Sequence, residues 1–176
     1  MASLLALVSR FPVVGFSGSR ECGSVPAVAA AWLSGLLVSS GLASPVFVGC
    51  ARGVDKAVRL AFPSARVFEV VSSLGRAGFA LRSQEFCRAV AAAGGLVVSF
   101  PRGACPSSVR PGSAFVGGGS GSWASLAFAR ELGCAALVCL PSGVAVPAWV
   151  GSGSVVGTWF GCRWVFLPEV SAPSLF

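Results

Sequence analysis

Two long stretches of this chain, residues 22–51 and 132–162, contain no charged side chain at all. Few folds accept that. A bilayer span needs about 20 predominantly apolar residues in a row. Both stretches are broken by Gly, Ser and Pro, and the most apolar part of the first, residues 27–43, has no basic flank. The other solution is a parallel β-sheet covered on both faces, whose strands read as continuous apolar runs. The whole chain fits it: 55% of the residues are hydrophobic and only 11% charged. No membrane insertion is expected, and MASLLALVSRFPVV has no charged n-region of the kind a cleaved leader carries.

Apolar runs alternate with helical patterns along the chain. Strands are predicted at 12–16 (PVVGF), 46–48, 66–71 (RVFEVV), 96–100 (LVVSF) and 135–140 (AALVCL), and a sixth at 163–167 (RWVFL). Helices are predicted at 27–40, 54–62, 80–93 and 122–132. Pro26 suits the first turn of one helix, and Gly94–Gly95 suits the end of another. This order predicts one α/β domain over 1–176, a Rossmann-like three-layer fold with a mainly parallel central sheet, strand order 3-2-1-4-5. Residues 102–121 and 141–161 show no periodicity and read as long loops.

Side-chain chemistry narrows the function. Histidine is absent and none of the seven cysteines forms a CxxC, which excludes a zinc site of ordinary spacing and an imidazole base. No metal and no cofactor is expected. Seven scattered cysteines, an odd number, predict free thiols in a cytoplasmic protein. The net charge of +7 favours an anionic partner, or serves only to keep an apolar chain soluble. No stretch interleaves aromatic and basic residues as a single-strand binder would.

The glycine-rich turns fall at the expected carboxyl ends of strands, where ligands of open parallel sheets bind. They read GFSGSR after the first strand, GCARGVD after the second, and GGGSGSW at 117–123 before the last helix. Helix starts with bare N–H groups and nearby cations are suited to phosphate. Neither GxGxxG nor GxxxxGK[ST] is present. Any such turn alone marks only a turn; their repetition at equivalent positions is the signal.

Four segments in this order, GSR, GxxxGVD, GRAGFALRSQEF and GSGSWASLAFA, resemble the SLOG superfamily, which includes DprA, the LOG phosphoribohydrolases and YspA/YpsA-like proteins. The likeness is to the YspA-like branch and covers roughly residues 11–140. It implies a nucleotide or nucleotide-derived ligand held by Gly18, Ser19 and Arg20 on the phosphate side, and by Gly49, Gly53 and Asp55 as a second wall. Arg82 would reach in from the third helix, followed by Ser83 where the family has asparagine. Gly121 and Ser122 would match the family's Gly-Thr pair. Arg52, a cation in the second turn, completes the set. The hydrolase signature PGGxGTxxE is not met, since Ala124 and Ser125 follow Trp123 and no glutamate is at hand. The expected role is ligand binding, as in a sensor. The alternatives are a DprA-like nucleic-acid binder and a nucleotide-processing hydrolase, and no catalytic residue is assigned. The resemblance implies self-association, and so apolar a chain is expected to hide surface between subunits as a homo-oligomer.

Overall fold

The computed structural model describes residues 2–41, 44–115 and 120–170. Its elements run α1 (Ala2–Val8), β1 (Val14–Gly18), α2 (Val25–Ser39), β2 (Val46–Gly49), α3 (Val54–Ala61) and β3 (Arg66–Phe68). A 3-10 turn (Ser72–Leu74) follows, then α4 (Gly75–Ala92), β4 (Leu96–Phe100), α5 (Gly121–Glu131), β5 (Ala135–Pro141), β6 (Ser154–Trp159) and β7 (Cys162–Leu167). All seven strands form one sheet, in the order β3-β2-β1-β4-β5-β7-β6. The first five are parallel in the expected order 3-2-1-4-5. β7 and β6 extend the sheet antiparallel beyond β5.

Period-two alternation explains how charge-free strands fill two cores. On β4, Leu96, Val98 and Phe100 join the cluster under α1, α2 and α3. Val97 points the other way, toward Phe86, Cys87 and Val90 of α4. On β5, Ala135, Leu137 and Cys139 face the first layer. Ala136, Val138 and Leu140 face Trp123 and Leu126 of α5. The sheet is therefore the middle of three layers. None of the helices is long and apolar enough to cross a membrane among the described residues.

The structure departs from the sequence reading at four places. α1 was not expected, because its seven residues are too few to show a period; Leu4 and Val8, four apart, are fully buried and dock it. α4 starts at Gly75, five residues earlier than the pattern indicates. Gly75 and Gly78 read as breakers, yet Gly75 opens the helix at φ 52°, a conformation glycine accepts, and Gly78 inside it costs only about 1 kcal/mol against alanine. β3 ends at Phe68, not at residue 71, because Phe47 to Gly49 of β2 pair with only Arg66 to Phe68. Finally, residues 141–161 contain a strand, β6. Its Gly- and Ser-rich sequence hides it, and as an edge strand it pairs with β7 alone.

The β6–β7 hairpin has a two-residue turn, Phe160-Gly161, with φ of 54° and 65°. A type I′ turn demands positive φ at both positions and favours Asn-Gly. Phe160 is the only non-glycine residue with positive φ among the described residues. Holding a side chain there costs about 1–2 kcal/mol.

All seven cysteines are free. Cys87, Cys134, Cys139 and Cys162 are buried and pack as small apolar groups. Burial pushes the Cys134 thiol up to about 11. Titration of denatured, unreduced protein with a thiol reagent is expected to count seven thiols; a count of five would reveal a disulfide this structure does not contain.

Candidate functional site

β1, β2 and β4 all end at the same edge of the sheet, and their following turns meet there. The backbone ties them together. Ser19 N–H donates to the carbonyl of Phe100 at the end of β4 (3.0 Å), and Val54 N–H at the start of α3 donates to the carbonyl of Ser19 (3.0 Å). The Ser19 hydroxyl accepts from Glu21 N–H at 3.2 Å. Gly18 is wedged between Val54 and Phe100. Gly53 has φ of 66°, and a Cβ there would strike the carbonyl oxygen of Ser19 and the backbone of Arg20. Only glycine meets both conditions.

The centre of the site is a buried ion pair. Arg82 of α4 and Asp55 of α3 come from opposite faces of the sheet, and Nη1 lies 3.3 Å from Oδ2. They meet across the end of β2 because Gly49 has no side chain; a Cβ there would occupy the place of the guanidinium. Asp55 is 3% exposed and Arg82 9%. The same carboxylate oxygen accepts from Ala51 N–H at 3.1 Å. Arg59, one helical turn after Asp55, donates to the carbonyls of Gly49 and Ala51 and so clamps the turn from outside. Burial pushes the Asp55 carboxyl above its ordinary range, opposed by Arg82, by the Ala51 N–H and by Arg59. Arg82 Nε is buried and has no hydrogen-bond partner. A guanidinium carries five N–H donors, and here one meets an acid.

The remaining expected residues surround this pair. Arg20 is exposed, with its guanidinium 4.3 Å from the centre of the Phe79 ring on α4, a cation–π arrangement. Arg52 is exposed in the second turn. Gly121 opens α5 with open space about it. Ser122 is buried; its hydroxyl is 3.2 Å from that of Ser120, and its carbonyl accepts from the Ser99 hydroxyl at 3.3 Å. Gly117 to Gly119 of the third glycine-rich turn lie outside the described residues.

Gly49, Asp55 and Arg82 are thus in mutual contact, and so are Gly18, Ser19 and the Gly53–Val54 turn. Gly121 and Ser122 are joined to them through β4. Arg20 reaches α4, and Arg52 stands apart in solvent. Sequence reasoning missed Arg59, although its i, i+4 spacing from Asp55 was visible. It also missed Arg102, which pairs with Glu21 at 2.8 Å and links the turn after β1 to the turn after β4. No motif marks that contact. No family model matches the chain, and no curated protein matches it.

Proposed function

We propose that this protein binds a nucleotide or a nucleotide-derived ligand at the carboxyl edge of its sheet, and that the ligand's phosphate is held by arginine. The observation that carries the reading is Arg82: a buried guanidinium, positioned by Asp55, with an Nε–H that no protein atom satisfies. Buried donors are rarely left unpaired, and a guanidinium matches phosphate oxygens in pairs. Its location supports the same reading. Chain order reverses between β1 and β4, and open α/β sheets bind ligands at such a switch point. The order of motifs that resembles SLOG proteins agrees with a nucleotide.

Calorimetry with a panel of nucleoside mono-, di- and triphosphates tests this. Arg20→Ala and Arg82→Ala are each expected to weaken binding about tenfold or more, since a hydrogen bond to a charged group contributes about 1.5–3 kcal/mol. Circular dichroism on the same samples checks that the fold is kept. Wild-type protein that takes up none of the panel, or variants that bind as wild type does, would end the proposal. Modest salt dependence is expected; a steep loss of affinity for single-stranded DNA with added salt would instead support a nucleic-acid binder.

A further inference from the structure

The hairpin turn at Phe160 is unlike the rest of the surface. A turn residue with positive φ is best Asn or Gly. A phenylalanine kept for packing is best buried. Phe160 is neither, being strained at φ 54° and 48% exposed. Its ring lies 4.8 Å from that of Trp32 on α2. Trp32 is itself backed by Trp159 at 6.1 Å and Trp164 at 6.0 Å. The result is an aromatic cluster whose outermost ring, Phe160, is tilted 51° against Trp32 and half exposed.

Its position matters as much as its chemistry. Cys162, which follows the turn, pairs with Pro141 at the end of β5, and Ser142 N–H donates to the carbonyl of Gly161 at 2.7 Å. The turn therefore stands at the carboxyl edge of the sheet, on the same side as the Arg82 site. Arg82 and Asp55 meet at the end of β2, and β7 lies four strands from β2, about 19 Å at ordinary strand spacing. Trp164 continues the aromatic contact to Phe100 at the end of β4, at 5.6 Å. A ligand whose phosphate meets Arg82 reaches this turn only if it extends along the edge by about that length, as a dinucleotide-sized ligand does.

We infer that Phe160, supported by Trp32, is a stacking platform for a planar ring, the nucleobase of the bound ligand. The identification of the ring as a nucleobase rests on the function proposed above. Every base has a π-face, so the platform would accept purines more tightly than pyrimidines without reading a base edge.

The test uses free nucleosides, which carry no phosphate, and inorganic pyrophosphate, which carries no ring. Adenosine and guanosine are expected to change the tryptophan emission of the wild-type protein. Phe160→Asn creates the Asn-Gly turn, so it should melt at or above the wild-type temperature while binding nucleosides about tenfold more weakly. Pyrophosphate binding should not change. Phe160→Gly gives a second folded variant if Phe160→Asn expresses badly. Nucleoside binding that survives both substitutions, or a wild type that ignores nucleosides, overturns the platform. The two readings fail separately: pyrophosphate bound without nucleosides removes the platform alone. Nucleosides bound through Phe160, with no pyrophosphate binding, remove the arginine site alone.

Discussion

Gly53→Ala is expected to destabilise the protein by about 2–6 kcal/mol. Two costs combine. Alanine at φ of 66° is strained, worth about 1–3 kcal/mol. Its Cβ would also strike the Ser19 carbonyl and the Arg20 backbone, and overpacking adds about 1–3 kcal/mol when the obstacle cannot rotate away. The obstacle is backbone, and it is tied: Ser19 donates to Phe100 and accepts from Val54. With a urea slope of about 2 kcal/mol/M, the unfolding midpoint should fall by about 1–3 M. Gly23→Ala is the control, because Gly23 also has positive φ but has open space around it. It should show the strain alone. Equal losses at the two positions would mean that the turns after β1 and β2 are not locked together.

Removing one half of the buried pair should cost about 3–5 kcal/mol, because the other half is left as an uncompensated buried charge. Arg82→Met isolates Asp55. The folded-state pKa of Asp55 already lies above its ordinary value because of burial, and loss of the opposing guanidinium raises it further. A raised carboxyl binds its proton more tightly folded than unfolded. Its contribution to stability is therefore fully present below the ordinary value, about 3.9. It is lost as pH rises from there through the raised folded value. The defect of Arg82→Met should accordingly be larger at pH 7.5 than at pH 5. Asp55→Asn introduced into Arg82→Met should recover part of the loss and remove the difference between the two pH values. Urea unfolding of the three proteins at both pH values measures this; a defect independent of pH would show that Asp55 does not titrate between them.

What the sequence disclosed depended on the range of the interaction. Buried strands declare themselves locally, and the continuous apolar runs of 96 to 100 and 135 to 140 were enough to mark both as strands; that β5 is interior and not an edge follows only from the β6–β7 hairpin beyond it. The parallel order followed from the helices between them. The antiparallel hairpin was not legible, since GSGSVVGTWFG has the composition of a loop and becomes a strand only by pairing with β7. The site was legible as a set of turns at one edge. Its central contact was not. Asp55 and Arg82 were each expected at the pocket, but not as a pair; their meeting depends on α3 and α4 lying on opposite faces with a glycine between. The same geometry pairs Asp55 with Arg82 at 3.3 Å.

The middle of the sheet also sets an order of assembly. β1 has β2 on one side and β4 on the other, and Val14 pairs with Leu96. β1 and β2 meet early during synthesis, but the second edge of β1 has no partner until β4 has emerged. Its apolar hydrogen-bonding edge stays open through that interval, and open edges recruit other chains. β5, β7 and β6 follow in a compact run and close the sheet quickly. Nascent chains that stall before residue 96 are therefore expected to aggregate more than those that stall after residue 100.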